Sequence, residues 1–181
     1  VSDWRTGHEP DGIGPLARHY LKDLIYGAND GIITTFAVVS GVAGANLETR
    51  IVLILGFANL LGDGFSMGAS NFLSIRSDEA ARSADGRPPQ EPFPMRHAAA
   101  TFTAFVIAGT IPLLSFLAMP DGRMFQAAVV MTLLALFLVG SARALVTDRP
   151  WIRAGGEMLL VGSVAAAVAY GVGAWVGALT G

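Results

Sequence analysis

Asp63 is the only charged residue between Arg50 and Arg76, and it stands thirteen residues into an apolar run numbered 51–75. At ~1.5 Å of rise per residue, that is the middle of a helix long enough to cross a hydrocarbon core of roughly 30 Å. A carboxylate at such depth costs about 2.5–3.5 kcal/mol on insertion scales, so it marks a functional-site candidate. Asn59, Asp63, Met67 and Ser70 follow i, i+4, i+8, i+11 spacing, which puts an amide, a carboxylate, a thioether and a hydroxyl on one helix face. Such a face could coordinate a divalent cation. The plainer alternative is a polar stripe that hydrogen-bonds two helices together, with Gly62, Gly64 and Gly68 allowing close approach. Asn and Ser would suffice for that role, and a carboxylate is not needed.

Asp30 is the second acid within an apolar run, the only charge between Asp23 and Glu48. Asn29-Asp30-Gly31 fits a turn capping a span that starts at Ile32, or a helix in which Thr34 lies one turn further on the same face. In the helical reading two acids on neighbouring helices offer the hard oxygen ligands that replace a dication's hydration shell. Glu157 follows Arg153 by four residues, where a first-turn carboxylate meets the helix dipole and pairs at i, i+4. Met119, Met124, Met131 and Met158 read as packing, and His97 as an interfacial residue opening a span.

Composition says which elements must position these groups. Of 181 residues, 52% are hydrophobic and 14% charged, against roughly 25% charged in soluble domains, so a soluble globule would lack polar surface. The net charge is −2 with no long basic run, which leaves no footprint for nucleic acid. Absence of Cys removes disulfides, thiolate metal sites and cysteine nucleophiles. The charge gaps define five apolar segments, predicted as membrane spans at about 24–47, 51–75, 97–119, 124–143 and 155–178. The expected fold is therefore all-α, a polytopic membrane protein of five transmembrane helices. With the N-terminus cytoplasmic, ten of the twelve Lys and Arg fall inside and only Arg50 and Arg123 outside, which predicts N-terminus in and C-terminus out.

Residues 1–15 are expected to be a flexible tail, in which His8, Glu9 and Asp11 are at most a loose metal contact, and residues 16–181 the transmembrane domain. Leu16 to Ile25 suits an interfacial approach to the first span. The longest internal loop is predicted from Arg76 to Arg96, and its four prolines and its length argue against an independent domain.

The run Tyr26-Gly27-Ala28-Asn29-Asp30-Gly31-Ile32-Ile33-Thr34-Thr35-Phe36-Ala37-Val38-Val39-Ser40-Gly41 resembles the first-helix signature of the vacuolar iron transporter family. The run Ala58-Asn59-Leu60-Leu61-Gly62-Asp63-Gly64-Phe65-Ser66-Met67-Gly68-Ala69-Ser70-Asn71-Phe72-Leu73-Ser74 resembles its second-helix signature. The resemblance implies a homodimer of five-helix protomers that moves Fe²⁺, often also Mn²⁺, out of the cytosol in exchange for protons. By position, Asp30 and Met67 match the family's transport-path ligands. Asn59 falls where plant and parasite members have a path-lining Glu, and Asp63 where those have a small residue, a pattern that resembles the bacterial and nodulin-like branch. The branch implies a bacterial inner membrane. It also implies that the Arg76 to Arg96 loop stands where many members carry a Glu-rich cytosolic metal-collecting domain.

The expectation is thus a divalent-metal transporter and not an enzyme. It has no resident cofactor, carries Fe²⁺ or Mn²⁺ as substrate, and uses Asp30, Asp63, Met67, Asn59, Thr34 and Ser70 as metal contacts. Two rivals stay open. Paired intramembrane acids also resemble aspartyl proteases, although the Gly-x-Gly-Asp element has Leu60 in place of its first Gly and the Pro-Ala-Leu element is missing. A membrane scaffold whose polar stripe only assembles copies of itself is the other.

Overall fold

Asn29-Asp30-Gly31 does not turn. In the computed structural model, which describes residues 12–119, 122–145 and 150–180, helix α1 runs unbroken from Ile13 to Gly44 and carries Asp30 in its interior. Its end is fixed by Asn46, which adopts φ 56° while the Asn46 and Leu47 N–H groups donate to the Ala43 and Val42 carbonyls. That is a left-handed cap of the kind Asn tolerates. The predicted tail overlaps this helix at Ile13–Pro15, and residues 1–11, with His8, Glu9 and Asp11, lie outside the described residues.

Helix α2 spans Thr49–Ala84, 36 residues, and overruns the predicted 51–75 span by about nine residues at its C-terminal end. The stretch Asp78-Glu79-Ala80-Ala81-Arg82 consists of good helix formers apart from its first residue, which is why the helix continues past Arg76. The predicted loop from Arg76 is therefore half helix, and chain reversal begins at Gly86, where a φ of 69° suits glycine. Helix α3 spans Pro94–Gly109 and α4 spans Ile111–Ala118, so the third predicted span is a broken helix. Pro112 has no N–H to offer the preceding turn, and the chain bends at Thr110. Helix α5 spans Met124–Ala142, continues as a 3₁₀ turn to Leu145, and α6 spans Trp151–Thr180.

The protein is an all-α, multi-pass membrane protein. Among the described residues four helical segments are long and apolar enough to cross a bilayer: α2, α3 with α4, α5 with its 3₁₀ turn, and α6. Helix α1 has the length but carries Asn29 and Asp30 in its midst, and it occupies the centre, packed on α2, α3, α5 and α6. Phe36, Val39 and Val42 of α1 join Val52 and Leu60 of α2, Phe105 of α3 and Leu113 of α4 in the main core. A second cluster sets Ile32 against Ala108, Leu136 and Met158. Gly27 and Gly31 bring α1 against α3, for a Cβ at either would collide with the Thr101 or Phe105 carbonyl. Helix α6 presents Leu160, Val164, Val168, Val172, Trp175 and Leu179 outward, a surface that only lipid or another apolar partner satisfies.

Candidate functional site

Helix α1 holds Asp30 half-buried, and α2, which packs on α1, carries Asp63 within electrostatic range of it. The acids that the sequence places 33 positions apart thus stand on two helices that pack together. Thr34 donates its hydroxyl hydrogen to the Asp30 carbonyl oxygen at 2.8 Å, which leaves lone pairs on Oγ1 free to accept or ligate. Asp63 and Ser70 are exposed on the bundle surface, while Asn59 and Met67 are half-buried beside them. Met67 also packs on the main core, so its thioether has an apolar side and a polar side.

The glycine face and the polar stripe of α2 are different faces. Gly64 and Gly68 lie, with Gly56 and Leu60, on the buried side against α3 and α4, and Gly64 and Gly68 meet Phe102, Phe105 and Ala98 of α3. Gly62 meets nothing within 4 Å. Within this chain the stripe therefore does not serve as glue between α2 and α3. Two buried amide atoms near the acids, Asn29 Oδ1 and Asn59 Nδ2, have no hydrogen-bond partner. A buried polar atom without a partner costs about 1–3 kcal/mol, and such cost concentrates at functional sites. Carboxylate, amide and hydroxyl oxygens with one thioether form a donor set suited to Mn²⁺ or Fe²⁺.

A second polar centre lies at the end of the bundle where α1 begins and α3 starts. Asp23, the one buried acid among the described residues, accepts from Asn71 Nδ2 at 2.8 Å and faces His97 Nδ1 at 2.7 Å. Asn71 also donates to Thr101 Oγ1 at 2.8 Å, so α1, α2 and α3 share one hydrogen-bonded junction. His97 is buried within the bundle. Sequence reasoning missed this junction because its members are as far as 74 positions apart and match no local motif; the one available signal was the pairing of His97 with Asp23 at the ends of two apolar runs. Glu157 lies half-buried in the second turn of α6.

The sequence profile of the VIT family matches residues 21–91 and 82–174, which together reach into every helix described above. The chain belongs to the VIT family. It is 27% identical to "Vacuolar iron transporter 1" of Eucalyptus grandis over 214 residues, covering 86% of each chain. It is 28% identical to "Vacuolar iron transporter homolog 1" of Arabidopsis thaliana over 162 residues, covering 84% of this chain and 81% of the relative. The "Vacuolar iron transporter" of Toxoplasma gondii is 23% identical over 235 residues, covering 93% and 78%. The Eucalyptus and Toxoplasma alignments are longer than this VIT-family chain itself, so both run through residues that have no counterpart here. The two matched stretches of the family profile meet at residues 82–91, the connection between α2 and α3.

Proposed function

We propose that this VIT-family protein exports Fe²⁺ or Mn²⁺ from the cytosol in exchange for protons, with Asp30 and Asp63 as the central ligands. The observation that carries the reading is the placement of two carboxylates inside apolar spans on helices that pack together, within electrostatic range of each other. Met67 adds a softer contact, and Asn59, Thr34 and Ser70 complete the shell, with Asn59 contributing an amide whose buried Nδ2 has no partner. Moving a dication outward against 100 mV costs about 4.6 kcal/mol, twice the ~2.3 per charge, and proton entry offsets that cost. Carboxylates that bind either protons or a dication couple the two flows at one place.

The working unit in this reading is a homodimer. Asp63, Ser66 and Ser70 are exposed on a membrane-spanning helix, where contact with lipid is unfavourable, and a second copy covers them. Helix α1 is the fifth span, shielded from lipid by its neighbours, with the N-terminus cytoplasmic and the C-terminus outside. The bacterial inner membrane follows from the branch resemblance. The unmatched residues of the longer relatives, and the profile break at 82–91, support a chain without a separate metal-collecting domain after α2. The names of the relatives, all iron transporters or their homologues, support iron as a cargo.

Flux of Fe²⁺ and Mn²⁺ into proteoliposomes under an imposed proton gradient tests this. Wild type should move at least one of the two ions in a gradient-dependent way, and Asp63→Asn should abolish that flux while remaining a folded dimer. Gradient-independent flux would remove the antiport, and no flux from well-folded protein would leave a scaffold.

A further inference from the structure

We propose that His19, Glu91 and His97 form a second divalent-metal site, for borderline first-row ions, at the end of the bundle where α1 begins. His97 Nε2 lies 3.0 Å from Glu91 Oε2, His19 Nε2 lies 3.2 Å from the same oxygen, and the three ligand atoms all fall within 4.8 Å of one another. Ligands each about 2.0–2.1 Å from one ion stand roughly 3.0–3.4 Å apart when adjacent in its coordination sphere. The two contacts with Glu91 have that spacing.

The ring of His97 is already oriented for ligation. Its Nδ1 faces Asp23 Oδ2 at 2.7 Å, and the other Asp23 oxygen is held by Asn71. This carboxylate–histidine pairing fixes the tautomer and turns Nε2 toward the ion position, an arrangement typical of metal-bound imidazole. Thr101, which accepts from Asn71, donates back to the His97 carbonyl at 3.0 Å, so the support reaches into α3. Glu91 is fixed as well: the Glu79 carboxylate accepts the backbone N–H groups of Gln90 and Glu91, with the latter at 2.8 Å. A cavity of about 250 Å³, bordered also by Lys22, Asp78 and Arg82, leaves room for waters to complete the coordination.

Two imidazoles and one carboxylate favour Fe²⁺, Co²⁺, Zn²⁺ or Mn²⁺ over Mg²⁺ and Ca²⁺, which take oxygen shells. The site is distinct from the Asp30–Asp63 pair. Asp23 precedes Asp30 by seven residues, two turns on the same side of α1 and about 10 Å along its axis. An ion held there would stand in line with the deeper acids. The proposal rests on its own geometry and holds whether or not the protein transports.

Co²⁺ titration of the purified full chain, by equilibrium dialysis and visible ligand-field absorption, provides the test. Asp63→Asn should leave an imidazole-ligated Co²⁺ in place, bound against a hundredfold excess of Mg²⁺. Isosteric Glu91→Gln, and separately His19→Gln, should weaken that ion at least tenfold and shift its spectrum, and Asp23→Asn should weaken it about 10- to 100-fold by freeing the His97 ring. Equal affinity and an unchanged spectrum in Glu91→Gln and His19→Gln, both folded by size exclusion and thermal unfolding, would overturn the site and leave a hydrogen-bonded network. Displacement by Mg²⁺ would overturn its selectivity. Loss of flux without loss of this ion, or the reverse, separates this site from the transport reading.

Discussion

Gly31 of α1 lies directly on the Phe105 carbonyl of α3, so close that a Cβ would occupy the oxygen's space. The contact sets the depth and rotation of α1, and Asp30 is the neighbouring residue. Gly31→Ala should therefore destabilise the fold by about 1–3 kcal/mol, the usual cost of overpacking. Thermal unfolding in detergent would show it. Gly171→Ala on α6 has nothing within 4 Å and should leave the midpoint unchanged or raised, since Ala is the better helix former. Equal midpoints for the two variants would mean that the α1–α3 approach is looser than described.

Asn59 keeps a buried Nδ2 without a partner. An atom that served only structure would be better replaced by an apolar group of similar size, because removing an unpaired buried polar group relieves its desolvation cost. Asn59→Leu should thus raise thermal stability by up to about 1–3 kcal/mol and, in the proposed transport path, lower metal flux. A variant both more stable and fully active would remove Asn59 from the path.

How legible the protein was depends on where each signal lies along the chain. Asp30 and Asp63 could be found because one charge in twenty apolar residues is visible locally, and helical spacing then supplied Thr34, Asn59, Met67 and Ser70. That the two acids come within electrostatic range of each other could not be read, since it depends on how α1 and α2 dock. The break at Pro112 and the extension of α2 through Ala84 were legible from proline chemistry and helix propensity, yet the long apolar and proline-rich patterns around them dominated the prediction. The His19–Glu91–His97 group belongs to a third kind. Its ligands come from α1, a loop and α3, and only the tertiary fold brings them within reach.

Met67 packs one side on the main core and, as proposed, turns sulfur toward the acids. Met67→Leu conserves volume, so stability should change by less than about 1.5 kcal/mol. Loss of the thioether removes the softer of the contacts, which Fe²⁺ uses more than Mn²⁺ does. The ratio of Fe²⁺ to Mn²⁺ flux, measured side by side in the same proteoliposomes, should fall. An unchanged ratio would place the sulfur outside the coordination sphere.

Helix α2 exposes Gly62, Ser66 and Ser70 at one-turn intervals beside Asp63, and the chain has no cysteine of its own. Single cysteines at these positions can therefore report on the proposed dimer without background. If two copies cover this face about a two-fold axis, each residue near the axis meets its own counterpart. Disulfides form when the Cβ atoms come within about 3.5–4.5 Å, so at least one of Gly62→Cys, Ser66→Cys and Ser70→Cys should yield a covalent dimer on mild oxidation in membranes. Val168→Cys, on the outward apolar face of α6, should remain a monomer on a non-reducing gel. Cross-linking at Val168 with none along α2 would move the interface to α6 and leave Asp63 facing lipid, a position in which a carboxylate is costly.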